Sequence, residues 1–207
     1  MFASREEAGQ KLGQHLQAQG VEADLVLGLP RGGVVVAAEV ARELHLPLDV
    51  LVVRKIGHPW FREFAVGALG ESDVVVLDQK SIGISPGVRA DLERVIQEEK
   101  QRLAAYQARF HRAGPFDLAG KAVLLVDDGL ATGATTEAAV LSARKQNARR
   151  ITVATPVAST HAMERLGRVA DAVLALRVDP QFDAVGSYYD VFDQTTDEEV
   201  LELLQAA

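Results

Sequence analysis

Residues 123–136 read Val-Leu-Leu-Val-Asp-Asp-Gly-Leu-Ala-Thr-Gly-Ala-Thr-Thr, in which an apolar run leads into two acids and a loop of small residues and hydroxyls. The apolar run predicts a buried β-strand, and a helix is predicted to begin behind the loop. The two carboxylates at the strand end can accept hydrogen bonds from neighbouring ribose hydroxyls. The backbone N–H groups of the loop and the helix N-terminus can bind a phosphate, because small residues let the backbone approach the anion closely. The segment therefore predicts an α/β fold with a site for a sugar phosphate.

Alternating strands and helices are predicted on both sides of this segment. The predicted strands cover 24–29, 48–53, 65–69, 74–78, 122–126, 151–157 and 172–178, and the predicted helices cover 4–18, 34–44, 86–110, 159–168 and 196–204, with a further helix ending near 146. This order indicates an α/β protein that has a parallel sheet with helices on both faces. Ligands of such sheets bind at the carboxyl ends of the strands, so we expect Arg31, Lys55 and Asp127 at one edge.

The composition excludes several classes of protein. The chain has 207 residues, which fits one domain, and it has no cysteine, which excludes disulfides and a thiolate nucleophile. No apolar run reaches membrane-spanning length, and residues 1–7 do not resemble a signal peptide, so we expect a cytoplasmic protein without membrane contact. The net charge of −7 argues against nonspecific binding of nucleic acid.

The segment 123–135 resembles the signature of the type I phosphoribosyltransferases. That signature has four apolar residues, two acids, two apolar residues, Ala or Asp, Thr, Gly, a variable residue and Thr. The resemblance covers about 24–178 and implies the type I phosphoribosyltransferase fold in a single domain, 1–207, with a small C-terminal hood over about 179–207. An ordinary strand, loop and helix of an α/β domain is the alternative interpretation.

The resemblance implies a phosphoribosyltransferase that moves the 5-phosphoribosyl group of phosphoribosyl pyrophosphate (PRPP) to a nitrogenous base and releases pyrophosphate. Asp127 and Asp128 would hold the ribose hydroxyls, together with Mg²⁺ through its water ligands. The loop behind them would grip the 5′-phosphate with Ala131, Thr132, Gly133, Ala134 and Thr135. No protein nucleophile is required, because catalysis would consist of positioning and charge stabilisation.

An acidic protein that binds an anionic substrate must place cations at the site. The sequence Pro30-Arg31-Gly32-Gly33 follows a predicted strand, where two glycines expose N–H groups and the guanidinium suits a pyrophosphate. The resemblance implies pyrophosphate binding here and a cis peptide between Pro30 and Arg31. Arg54 and Lys55 close the next core strand in a predicted loop, where Lys55 would stabilise the leaving group and Arg54 would help to bind it. The alternatives are a surface arginine on a plain turn and ion pairs with the two acids.

Two segments are candidates for recognition of the acceptor base. The first contains three aromatic residues that can stack on a flat base: Trp60, Phe61 and Phe64. Core packing and a homodimer contact are the alternative roles for these residues. In the hood, the resemblance places residues 185–189 nearest to a base, with Val185 and Tyr188 as the candidate contacts. Family members that use 6-oxopurines usually carry Asp where this chain has Ala131, which disfavours hypoxanthine and guanine. Adenine, orotate, uracil and a non-nucleobase acceptor stay open.

A regulator of the same fold, which senses PRPP or a nucleotide without turnover, is the second hypothesis. A regulator that acts through nucleic acid would need a basic surface to bind it. The sequence has one basic cluster of this kind: Arg144, Lys145, Arg149 and Arg150. An unrelated α/β binding module is the third hypothesis, and it would lack magnesium-dependent affinity for PRPP. The mobile catalytic loop of the family is predicted over 79–85 here.

Overall fold

The structure is a computed structural model that describes residues 1–78, 86–111, 114 and 116–206. The segment 79–85, which was predicted as the mobile loop, lies outside the described residues. The helices are α1 (Arg5–Ala18), α2 (Gly32–Leu44), α3 (Pro86–Phe110), α4 (Ala134–Lys145), α5 (Thr160–Leu166) and α6 (Asp197–Gln205). The strands are β1 (Leu25–Gly28), β2 (Leu48–Val50), β3 (Val53–Gly57), β4 (Ala65–Gly70), β5 (Val74–Leu77), β6 (Ala122–Val126), β7 (Arg150–Ser159) and β8 (Ala172–Asp179).

Five strands form the parallel sheet that the alternating pattern predicted. Their order is β2-β1-β6-β7-β8, and every pairing between neighbours is parallel. The strand before the two acids, β6, lies in the middle of this sheet and is buried along its whole length. The acids therefore leave the sheet at the centre of its carboxyl edge.

Helices cover both faces of the sheet, as predicted for an α/β protein. Leu25 and Leu27 of β1 face α4 in one hydrophobic cluster, whereas Val26 faces α1 and α2 in another. This division follows from the strand geometry, because successive side chains of a strand point to opposite faces. Burial on both sides explains why the core strands are continuous apolar runs rather than alternating ones.

The predicted strand 48–53 is wrong as a single element. The chain leaves the parallel sheet after β2 and enters a second, antiparallel sheet with the order β3-β4-β5. Arg54 and Lys55 therefore lie within β3 rather than in a loop. Residues 51 and 52 are buried as deeply as the strands beside them, so the apolar run continues through the change of sheet. Hydrophobicity alone contains no signal for that change.

The segment after β8 passes across the carboxyl edge of the sheet. It forms a short 3₁₀ helix at Val185–Tyr188, and Tyr189 pairs with Phe2 in an isolated parallel bridge. In α6, Val200 is fully buried and packs in a cluster with Val34 of α2. These contacts bring the end of the described chain against its beginning, beside the two acids. The division into a core and a hood stays a prediction.

Candidate active site

The two acids form a local unit at the end of β6. The backbone N–H of Asp128 donates to Oδ1 of Asp127 at 2.9 Å, and the side chain of Thr136 in α4 also hydrogen-bonds Asp127. A tight turn of this kind places both carboxyls on one side of the strand end. They are therefore arranged to accept two adjacent hydroxyls.

The electrostatics of the pair reflect its enclosure. Burial raises the pKa of Asp127 well above its usual range, and the neighbouring charge of Asp128 raises that pKa further. Burial also raises the pKa of Asp128, although the Arg5 guanidinium opposes the rise. The charge of Lys55 lowers the pKa of both carboxyls. Two buried carboxylates side by side repel one another, so the pair favours cationic or hydroxyl-bearing ligands.

The loop behind the acids is tied to the end of β7. Leu130 donates to the Val157 carbonyl at 2.9 Å, and the Ser159 hydroxyl donates to the Ala131 carbonyl at 2.6 Å. Gly133 precedes α4 with a φ of 72°, a conformation that glycine adopts at little cost. Ala131 and Thr132 are exposed. The N-terminus of α4 therefore lies directly behind an exposed loop, and phosphate binding there stays a prediction.

The glycine loop after β1 lies directly against the acid pair. The Pro30–Arg31 peptide is cis, as the resemblance implied. A Cβ at Gly33 would approach Oδ1 of Asp127 to 2.8 Å, and a Cβ at Gly32 would overlap Oδ2 of Asp128. Side chains at these two positions would displace the acids, which gives the two glycines a steric role. The structure thus joins the predicted pyrophosphate loop to the predicted ribose acids.

The three basic residues predicted for the site are placed differently from one another. The Arg31 guanidinium lies 3.8 Å from Oδ1 of Asp197, at the start of α6. Lys55 is exposed, and its charge acts on both acids. Arg54 points away on the other face of β3, where its guanidinium donates to Glu99 of α3 at 2.9 Å. Of the three, Lys55 is the one whose charge acts on the acids, whereas the Arg31 guanidinium pairs with Asp197 and the Arg54 guanidinium pairs with Glu99.

The two predicted hood residues also differ. Val185 packs against Gly129, directly behind the acids, with 2.5 Å between its Cγ1 and a Cβ placed on that glycine. The Tyr188 hydroxyl instead donates to Asp179 of β8 at 2.9 Å. Its neighbour Tyr189 donates to the backbone carbonyl of Asp128 at 2.6 Å. Of the two tyrosines, Tyr189 is therefore the one that contacts the acid pair, and contact of this segment with a base stays a prediction.

The aromatic cluster between β3 and β4 is largely exposed. Trp60, Phe61 and Phe64 are 58%, 68% and 55% exposed. The Trp60 indole donates to Asp91 of α3 at 3.0 Å. This exposure contradicts core packing, whereas base stacking and a homodimer contact both stay predictions.

Arg5 is the site residue that the sequence interpretation missed. Its Nε donates to Oδ2 of Asp128 at 2.7 Å, from the first turn of α1. A lone arginine 123 residues before its partner carries no local signal of this pairing. Only the packing of α1 beside the sheet edge reveals it.

Comparison with known proteins agrees with this geometry. A family model described as the phosphoribosyl transferase domain matches residues 4–174. Proteins from two strains of Mycobacterium tuberculosis, CDC 1551 and H37Rv, are each 41% identical over 211 residues, and their names carry a provisional phosphoribosyl transferase assignment. Those alignments cover 100% of this chain and 47% of the relatives, so the chain spans about half the length of the curated relatives it matches.

Two solved structures are similar to this chain in fold. The protein TT1426 from Thermus thermophilus is 45% identical, with a TM-score of 0.82 over 99% of this chain and 98% of that one. A Neisseria gonorrhoeae protein with bound ppGpp has a TM-score of 0.52 at 14% identity over 100% of this chain and 96% of that one, which is a likeness of fold alone. The chain belongs to the phosphoribosyltransferase family, and the resemblance found in residues 123–135 is confirmed.

Within the part of the chain that the structure describes, no helix is both long enough and apolar enough to cross a membrane.

Proposed function

We propose that this chain transfers the 5-phosphoribosyl group of PRPP to a ring nitrogen of a base and releases pyrophosphate. The contact between the glycine loop and the acid pair carries the proposal, since it joins a site for pyrophosphate to a site for ribose. Gly33 lies against Asp127, and the phosphate loop begins three residues after Asp128, at Ala131. One extended ligand with a phosphate at one end and a pyrophosphate at the other fits this arrangement.

The reaction breaks the bond between C1′ and the pyrophosphate oxygen and forms a bond between C1′ and the acceptor nitrogen, which then loses its proton. Positive charge develops on the sugar ring and negative charge on the leaving group. Asp127 and Asp128 orient the ribose through its hydroxyls and stabilise the positive charge, while Arg31 and Lys55 stabilise the departing pyrophosphate. The loop at 131–135 anchors the 5′-phosphate. Catalysis requires no covalent bond to the protein.

The acid pair also fits a magnesium site of the kind that is shared with a substrate. Carboxylate oxygens are the ligands that Mg²⁺ prefers, and Mg²⁺ usually keeps several waters and binds one or two carboxylates together with phosphates. No cluster of three or more metal-binding side chains occurs in the described ranges. Asp127 and Asp128 would hold the hydrated ion, which would neutralise charge on the leaving group.

The acceptor is proposed only as a class. Val185 lies beside the acids, so a flat base above Gly129 would contact it. With Ala131 in place of an acid, the loop has no carboxylate to handle the proton of a 6-oxopurine. We therefore propose that the acceptor is a base other than hypoxanthine or guanine. The reaction would serve nucleotide salvage in the cytoplasm, and the protein would act as a monomer or as a homodimer.

The test is a screen of bases with PRPP and Mg²⁺, read out as release of pyrophosphate. We expect release with at least one base, and no release when Mg²⁺ is removed with a chelator. Tight binding of PRPP without release from any acceptor would instead favour the sensing regulator. No binding of PRPP would refute the transferase and a regulator that senses PRPP, and would leave only a regulator that senses a nucleotide.

The basic cluster gives the regulator little support. Arg144 forms an ion pair with Asp171 at 2.9 Å, and Arg149 lies 3.9 Å from Asp24. Acids at this distance offset the positive charge that a nucleic acid would require. Binding of RNA or DNA at physiological salt would contradict this interpretation.

A further inference from the structure

Arg5, near the N-terminus, contacts both the acid pair and the segment at 192–193 near the C-terminal end of the described chain. Its Nε lies 2.7 Å from Oδ2 of Asp128, and the two side chains are 11% and 15% exposed. The guanidinium carbon lies 3.8 Å from the centroid of the Phe192 ring, and NH1 donates to the Asp193 carbonyl at 2.8 Å. An enclosed, stacked and hydrogen-bonded guanidinium has little freedom to leave its partner.

The glycine loop makes room for this ion pair. A Cβ at residue 32 would overlap Oδ2 of Asp128 and would lie 2.7 Å from Nε of Arg5. Arg5 therefore sits at the junction of the proposed ribose and pyrophosphate sites. Its position places one full positive charge beside the two carboxylates.

We propose that Arg5 is a positioning residue for PRPP, which orients the Asp128 carboxylate and cancels one of the two negative charges that face an anionic substrate. This inference rests on the proposed function. Asp128 accepts a hydrogen bond from Nε of Arg5 through Oδ2, which fixes the orientation of its carboxylate. Arg31 and Lys55 act on the leaving group, whereas Arg5 acts through Asp128.

The charge argument predicts opposite effects on two ligands. Without Arg5, both carboxylates would repel PRPP, and its affinity would fall. The same change would leave a more negative pair, which would attract a divalent cation alone more strongly. A variant that was merely misfolded would lose affinity for both ligands, so the opposite signs are the diagnostic result.

The experiment compares wild-type protein with Arg5→Gln by calorimetry at pH 8, with PRPP in Mg²⁺ and with Mn²⁺ alone. We expect the Kd for PRPP to rise by on the order of tenfold to a hundredfold, and the Kd for Mn²⁺ to fall by about threefold or more. An unchanged Kd for PRPP, or no gain in Mn²⁺ affinity, would overturn the role of Arg5. If wild-type protein itself does not bind PRPP, the proposed function fails and this inference fails with it.

Two further variants make the result independent of folding defects. Arg5→Lys keeps the charge but loses the planar group that stacks on Phe192, so PRPP affinity should fall several-fold while Mn²⁺ affinity stays near wild type. If Arg5→Gln does not fold, the Arg5→Lys variant tests the proposal instead. Unchanged PRPP affinity in Arg5→Lys would then overturn it. Arg144→Gln breaks a surface ion pair away from the site and should leave both affinities unchanged.

Discussion

Two clusters in this molecule each contain two carboxylates and one basic side chain, and they differ in how completely the charges are paired. In the first, Arg5 binds Asp128, while no lysine or arginine of the described chain forms an ion pair with Asp127. In the second, His111 lies between Glu71 at 3.1 Å and Asp49 at 3.4 Å. The first cluster lies at the carboxyl edge of the sheet, whereas the second is buried behind β2.

Backbone donors complete the pairing of the second cluster. Glu71 accepts the N–H of Val52 at 2.7 Å, and Asp49 accepts the N–H of Phe116 at 3.2 Å. Burial alone would lower the pKa of His111, but the adjacent carboxylates of Asp49 and Glu71 raise that pKa to about 9. The histidine is thus cationic at neutral pH. This cluster joins β2, the end of β4 and the end of α3, and it has no carboxyl left for a ligand.

The comparison separates charges that hold the fold together from charges that serve a substrate. A fully paired cluster stabilises the fold, and removal of one partner leaves an uncompensated buried charge. An incompletely paired cluster costs stability and keeps binding capacity. Four variants test this distinction, and their expected effects decrease from the first to the last.

Replacement of both site acids should have the largest effect. Asp127→Asn with Asp128→Asn removes the charges that face the ribose, so the affinity for PRPP with Mg²⁺ should fall at least about a thousandfold, or ~4 kcal/mol. The variant should still unfold in a single cooperative thermal transition, which shows that the fold is intact. The control is Asp183→Asn with Asp190→Asn, which removes the same charge from exposed positions. Undiminished affinity in the site variant would show that the acids do not hold the substrate.

His111→Gln should produce the reverse pattern. Because the pKa of His111 is higher in the folded protein than the ordinary 6.5, its stabilisation is complete below about pH 6.5 and is lost as pH rises through about 9. Urea unfolding at pH 6 should therefore show a loss of about 3 kcal/mol in the variant, and the gap to wild type should close by pH 10. PRPP affinity should be unchanged at pH 7.

The matched control for that measurement is His161→Gln, since His161 is exposed on α5. It should cause no pH-dependent loss of stability. A gap between His111→Gln and wild type that stays constant from pH 6 to pH 10 would argue that His111 is not charged in the folded protein.

Arg31→Ala tests the pyrophosphate side of the first cluster. A cation that stabilises the leaving group acts mainly in the transition state, so turnover should fall about a hundredfold, or ~2.7 kcal/mol. Binding of ribose 5-phosphate should change by less than about twofold, because that ligand has no pyrophosphate. The control is Arg42→Ala, in the last turn of α2, the helix that Arg31 precedes. Equal losses in turnover and ribose 5-phosphate binding would assign Arg31 to another part of the ligand.

Ser159→Ala should have the smallest effect. It removes the donor to the Ala131 carbonyl and so loosens the phosphate loop, which should raise the Kd for PRPP about fivefold, or ~1 kcal/mol. The same hydroxyl caps α5 by accepting the N–H of Ala162. Ser159→Thr preserves both hydrogen bonds and should behave as wild type. A threonine variant that loses as much affinity as the alanine variant would exclude the hydrogen bond as the cause.

Much of the site was predictable because its chemistry is local in the chain. The strand, the two acids and the phosphate loop occupy one continuous segment, so their order alone places them at a sheet edge. The cis peptide after Pro30 agrees with what the family resemblance implied. The break in the run 48–53 was not predictable, because a buried strand and a buried change of sheet need the same apolar residues.

By itself, the amino-acid sequence determined the layered α/β architecture and the position of the acids and the phosphate loop, because hydrophobic periodicity and loop chemistry act over a few residues. Tertiary structure alone decided which charges become partners. Asp128 is paired with Arg5 and Arg31 lies near Asp197, although each partner is distant along the chain. Ion pairs act through space over a few ångströms, and the residues that come within that distance are chosen by the packing of α1 and α6 against the sheet.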